Sequence, residues 1–204
     1  NKVFDVMENF HQEDGIVEVI NEPAFIKPNS MVVCRNIKPL ILVYFELLSL
    51  GKSAYIKGED LLSGVMRYLK PYSKDTVRVA RVKFLDEIEE LESKKSDEAR
   101  IKLYKAQENF AIFRIVVNYM ATSNTTILEL SNKLKTLCVV RKDAVVLCSI
   151  HKSKGLEANV VYILNENLIP SKFAESKEQL KQEENLKYVA RTRAKNEMYF
   201  LNIG

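Results

Sequence analysis

Between positions 149 and 157 the chain reads Ser149-Ile150-His151-Lys152-Ser153-Lys154-Gly155-Leu156-Glu157. A hydroxyl, an imidazole, two ammonium groups, a flexible glycine and a carboxylate lie within nine residues, a set suited to phosphates and sugars. The segment follows the apolar run Ala144–Cys148, so it starts where a buried strand ends. In open α/β sheets the carboxyl ends of the strands are where ligands bind. Taken alone, the same residues also read as a polar, solvated loop.

The second chemical segment is Gln182-Glu183-Glu184-Asn185-Leu186-Lys187-Tyr188-Val189-Ala190-Arg191-Thr192-Arg193-Ala194-Lys195. Leu186, Val189 and Ala190 fall at i, i+3 and i+4 and give a helix its core face. The Thr-Arg-Ala-Lys end places cations just before an apolar strand. An arginine on a rigid element can stabilise charge on a transferring phosphoryl group, because its planar fork matches phosphate oxygens. In isolation, the favoured reading of Arg193 is an ordinary surface or helix-end cation.

The elements that must hold these segments are legible from patterning. Residues 15–20 and 30–34 are short β-branched runs bounded by turn formers, hence strands. Apolar residues recur at helical spacing from Pro39 to Leu50, with Gly51 placed as a C-terminal cap, and Ser53–Ile56 reads as a further strand. Strand, helix, strand implies parallel pairing. From 59 to 142 glycine is scarce and charges interleave with apolar residues at helical intervals. Helices are expected over Val77–Lys95 and Glu98–Met120, the latter capped by Ser96 or Asp97, and a third opens at Thr125 or Thr126. The strand pattern returns at 144–150 and 160–164, a helix follows over 179–192, and Met198–Leu201 closes the chain as a strand. The expectation is an α/β domain with a parallel sheet, formed by residues 1–58 and 143–204 and interrupted by a helical insertion over 59–142.

With 204 residues and 47% hydrophobic content, one good core and a smaller attached body are within reach. The three cysteines, Cys34, Cys138 and Cys148, are odd in number and sit in apolar runs, so they read as buried thiols of a reducing compartment. Two histidines, His11 and His151, and no Cys/His cluster at ligand spacing leave no metal site to propose. A net charge of +4, from 31 basic and 27 acidic residues, permits a polyanionic partner without demanding one. There is no long apolar run and no signal-peptide pattern. The expected location is the cytoplasm, with no membrane partner.

In this order and separation, the motifs S-x-H-x-x-K-G-L-E and E-x-N-L-x-Y-V-A-x-T-R-A-K closely resemble motifs V and VI of the UvrD/Rep family of superfamily 1 DNA helicases. Leu168-Ile169-Pro170 sits where that family has a proline turn between the two. Met31-Val32-Val33-Cys34-Arg35-Asn36, with its following helix, Gly51 and strand, resembles motif IV. The resemblance covers roughly 30–58 and 144–203. It implies the C-terminal RecA-like domain of such a helicase, with 59–142 standing where the family has its 2B subdomain, in reduced form.

Carried onto matching positions, the resemblance implies that Arg35 and Arg193 are arginine fingers reaching the ATP γ-phosphate, and that Glu157 touches the nucleotide ribose while Gly155 lets backbone approach. Ser149, His151 and Lys154 fall at positions along the DNA track, Ser149 replacing the usual threonine. Glu183 and Tyr188 support the motif VI helix. Cys34 replaces an aromatic that stacks on adenine in many relatives. The implied cofactors are ATP and Mg²⁺; the implied partners are single-stranded DNA, duplex junctions and an N-terminal RecA-like domain. No G-x-x-x-x-G-K-[ST] occurs in the chain, so the Mg²⁺ ligands and phosphate cradle are expected from that other domain, and the chain alone is expected to be inactive. The function implied is the C-terminal part of a bacterial or phage ATP-dependent DNA helicase. The rival expectation is a non-catalytic DNA-binding or docking module derived from a helicase half.

Overall fold

The computed structural model describes residues 16–57 and 59–203. Gly15 and His11 lie outside the described residues. Six strands form one sheet: β1 (Ile16–Ile20), β2 (Met31–Cys34), β3 (Ala54–Ile56), β4 (Val145–Ser149), β5 (Ala158–Leu164) and β6 (Ala194–Leu201). Their spatial order is β1-β6-β5-β2-β4-β3, and every pairing is parallel. The expected α/β class and parallel sheet are therefore what is found, consistent with a RecA-like domain.

Alternation sends successive side chains to opposite faces, and both faces are covered, which is why the central strands are apolar throughout. Val32, Cys34, Val145, Leu147, Tyr162 and Leu164 join one core cluster, and Met31, Val33, Cys148, Val161 and Ile163 join another. The second face is closed by α6 (Lys177–Arg191) through Leu186 and Ala190. Facing the first is α1 (Ile37–Ser49), whose end is a glycine-terminated cap. Gly51 has φ +71°, its N–H donates to the Leu48 carbonyl, and the Lys52 N–H reaches back to Leu47 at 2.8 Å.

The stretch 59–142 is helical as expected, with one helix more than the patterning showed: α2 (Glu59–Leu69), α3 (Val77–Glu92), α4 (Asp97–Met120) and α5 (Ile127–Lys135). Hydroxyl side chains cap three of them. Thr76 opens α3, Ser96 rather than Asp97 opens α4, and Thr126 forms a reciprocal capping box with Glu129 at α5. Phe84 of α3 is fully buried among Tyr68, Tyr72, Phe110 and Phe113, with ring centroids 4.6–6.2 Å apart. These helices share one continuous cluster with α1 and the first sheet face, and Phe45 of α1 stacks flat on Tyr119 of α4 at 4.4 Å. No helix among the described residues is long and apolar enough to cross a membrane.

Candidate nucleotide-facing site

Parallel strands share their directions, so the sheet has a starting edge and a finishing edge. Cys34, Ser149 and Leu164 are in register at the finishing edge, and Ala158 pairs with Ala194 at the starting edge. Along β5 the two are about 20 Å apart, six residues at roughly 3.3 Å each. The loop 150–157 leaves β4 at the finishing edge and enters β5 at the starting edge. It therefore crosses the sheet face and does not stay at the edge where it begins.

The loop's first half is built for its own shape. Ser149 is buried, and its Oγ accepts the Lys152 N–H at 3.3 Å, capping the 3-10 turn Ile150–Ser153. Ser153 is also buried, its hydroxyl donating to the Ile150 carbonyl at 2.7 Å. His151 and Lys154 remain exposed. Although the side chain is exposed, desolvation by the atoms around the ring, then the nearby Arg35 charge, hold the His151 imidazole below its ordinary pKa and favour its neutral form. Gly155 has φ +78°, a left-handed conformation that favours glycine, and a β-carbon there would meet nothing within 4 Å. Space above this backbone is open.

Motif VI meets motif V at the starting edge. Arg193 follows Thr192, the C-terminal cap of α6, and its guanidinium donates to three neutral oxygens: the Val189 carbonyl at 2.9 Å, the Leu156 carbonyl at 3.1 Å and Thr192 Oγ1 at 3.0 Å. The Ala158 N–H donates to the Arg193 carbonyl at 3.0 Å. Among the described residues no carboxylate pairs with Arg193. Its neighbours differ: Arg191 is held by both oxygens of Glu166, at 2.9 and 3.0 Å, and Arg35 by Glu183. Arg193 is thus positioned by dipoles while keeping its net charge, a preorganised cation.

Glu157 is exposed and lies 3.4 Å from Lys195 Nζ, a pair open enough to water to exchange partners readily. Both line an open cavity of about 380 Å³ together with Asn29, Tyr55, Lys57 and Asn159. The sequence reading missed this lining. Tyr55 had a signal: it alternates with buried Ala54 and Ile56, and so faces the opposite side of β3.

Arg35 lies at the other edge. It follows β2, and its guanidinium grips Glu183 through Nε at 3.0 and 3.2 Å and Nη2 at 2.8 Å. Glu183 also accepts the Ser171 N–H at 3.0 Å, and the Arg35 bonds first of all hold its carboxyl below the usual carboxylate range. Arg35 follows the last residue of β2 and Arg193 precedes the first of β6, so the two expected fingers start from opposite edges of the sheet, each held by its own partners. Tyr188 is partly exposed on α6, and its carbonyl accepts the Thr192 N–H at 3.0 Å, closing the helix just ahead of Arg193. Cys34 is fully buried within the first core, and burial pushes its thiol up to about 11, so no ring of a ligand reaches it.

Against known families, residues 47–203 match the UvrD-like helicase C-terminal domain. The chain belongs to this family. The UvrD-like match begins after Arg35 and contains the loop 150–157 and all of α6. Two curated relatives align over shorter stretches. A probable DNA helicase II homolog of Mycoplasma capricolum is 43% identical over 60 residues, 28% of this chain and 8% of that protein. The ATP-dependent DNA helicase Rep of Buchnera aphidicola is 32% identical over 77 residues, 37% of this chain and 12% of that protein. The aligned stretches cover about a tenth of each relative's length.

Proposed function

We propose that this UvrD-like chain supplies the second wall of an ATP site in a DNA helicase, with Arg193 as the arginine that meets the γ-phosphate. The observation that carries this reading is a half-buried guanidinium held, among the described residues, by neutral oxygens beside Gly155 and Glu157. Glu157 suits a ribose hydroxyl, and the open backbone at Gly155 admits a close approach. Bound ATP with Mg²⁺ supplies the phosphoryl group to be transferred, and the metal's ligands come from a partnering RecA-like domain. Arg35 has another role, since Glu183 neutralises it; it anchors α6, with Glu183 and Tyr188 as supports.

On this reading the loop 150–157 has a nucleotide end and a DNA end. His151 and Lys154 stay exposed for backbone phosphates of single-stranded DNA, whereas the Ser149 hydroxyl, already capping a turn, holds the loop. A rigid loop joining the two ends converts closure around ATP into movement along the strand, and opening after hydrolysis completes a step towards duplex unwinding. The insertion 59–142 is a helical body fused to this domain. The bacterial sources of the two relatives favour action in the bacterial or phage-infected cytoplasm.

The test is DNA-stimulated ATP hydrolysis by the intact protein carrying Arg193→Ala. A loss of roughly a thousandfold in kcat, with DNA binding retained, is expected for an arginine finger. Turnover within a few fold of wild type removes the assignment and favours the docking-module alternative.

A further inference from the structure

We infer that Tyr104, in the helical insertion, is a positioning residue for Arg193, acting through the Ser171–Phe173 segment and the Glu183–Arg35 anchor of α6. The inference rests on the reading of Arg193 given above.

The path consists of short contacts. Tyr104 of α4 meets the edge of Phe173 with ring centroids 4.7 Å apart, and Lys172 Nζ sits 3.8 Å from the Tyr104 ring centre and 5.4 Å from that of Phe173. A cation over one ring of an edge-to-face pair is a specific geometry and not a general apolar contact. One residue earlier, the Ser171 N–H donates to Glu183 Oε2 at 3.0 Å, and the same oxygen accepts from Arg35 Nε at 3.0 Å. Glu183 lies near the middle of α6 and Arg193 two residues past its last residue, so about 12 Å of helix, eight residues at roughly 1.5 Å each, and the cap at Thr192 join them. Displacing the anchored turn therefore displaces the arginine.

Neither Tyr104 nor Phe173 belongs to either core cluster, and Phe173 is 43% exposed. The contact is a satellite, so removing it leaves both cores filled and its effect local. This gives the insertion a route to the ATP site that does not require it to touch nucleotide. Whatever moves α4 moves the segment that sets α6.

The experiment compares Tyr104→Ala, Phe173→Ser and Tyr104→Phe in the intact protein, with Arg193→Ala as reference. Two quantities are read: amide hydrogen exchange across 171–191 without nucleotide, and the kcat and KM of DNA-stimulated ATP hydrolysis. Tyr104→Ala and Phe173→Ser are expected to raise exchange at Ser171 and along α6 and to lower kcat roughly tenfold, as small misplacements of a catalytic group do. KM stays within about twofold, and Tyr104→Phe, which keeps the ring, restores wild-type values. Unchanged exchange overturns the proposal. So does raised exchange with unchanged kcat when Arg193→Ala abolishes turnover, because the anchor then fails to reach the arginine. If Arg193→Ala itself leaves turnover intact, the reading of Arg193 falls and the proposal with it, an outcome recognised without reference to Tyr104.

Discussion

Arg193 donates through Nη1 to the Leu156 carbonyl at 3.1 Å, so the last residue before β6 is fastened to the last turn of the loop entering β5. One bond joins two sequence motifs 37 residues apart and leaves the guanidinium's charge unspent. Arg193→Lys is expected to remain deficient in ATP hydrolysis by the intact protein, because an ammonium cannot span Val189, Leu156 and a phosphate at once. The deficit should lie in kcat, at roughly a hundredfold or more. Recovery to within a few fold of wild type would show that a point charge suffices.

Gly155 faces open space, yet its φ of +78° is strained for any residue with a β-carbon. Gly155→Ala should therefore lose stability through strain alone, by about 1–2 kcal/mol. Thermal denaturation should show a Tm lower by about 2–8 °C, at roughly 2–4 °C per kcal/mol for a chain of this size. An unchanged Tm would mean that the loop relaxes out of its left-handed turn.

Glu183→Gln tests the anchor of α6 by pH. The Arg35 hydrogen bonds depress the Glu183 pKa in the folded protein, so the folded state holds this proton less tightly than the unfolded one. Its contribution is complete above the unfolded value of about 4.3 and is lost as pH falls through the folded value. With 24% of the Arg35 side chain in water, the substitution should cost about 2 kcal/mol near pH 7, less than the loss of a fully buried pair. Denaturant titrations should show a constant gap between wild type and Glu183→Gln down to about pH 5, narrowing below about pH 4. A gap that widens on acidification would reverse the assigned sign.

How much of this was legible beforehand follows from the range of the forces involved. Helix caps, the strand runs and Gly51 act within a few residues, so their signals are local, and Ser96, Thr126 and Gly51 sit where patterning put a helix end. Strand order is not local. β1 pairs with β6 across some 180 residues, and no feature of Ile16–Ile20 names Glu197–Leu201 as its neighbour. The site divides the same way. Gly155, Glu157 and Arg193 were brought together because the two motifs border adjacent strands, whereas Arg35 and Glu183 meet over 148 residues by an ion pair that no local pattern announces. Which edge a loop ends on is decided by the strand it enters, and Ser149–Glu157 alone does not say that it crosses the sheet.

Single-stranded DNA should bind the isolated chain weakly and with marked salt dependence, and the chain should show no ATP hydrolysis. Lys154 is exposed on the proposed DNA end, and His151, with its pKa lowered, adds little charge at pH 7. Lys154→Ala should therefore reduce the slope of log affinity against log salt by about 0.7, the contribution of one phosphate contact on a single strand. An unchanged slope would move the DNA contact elsewhere, and appreciable turnover by the isolated chain would contradict the need for a second domain.

Phe84→Ala probes whether the insertion and the sheet melt as one. The ring is fully buried, packed on four other aromatic rings, and its cluster runs without a break into α1 and the first sheet face. Truncation leaves a cavity that neighbours this large fill poorly, so a cost of about 3–5 kcal/mol is expected. Because the cluster is shared, circular dichroism and the fluorescence of a probe placed at Cys138, on the insertion side, should report one transition at the same lowered denaturant midpoint. Two separated midpoints, with only the Cys138 probe shifted, would show that 59–142 unfolds independently despite its packing on α1. Coincident midpoints would mean that contacts made on the insertion are felt energetically at the sheet.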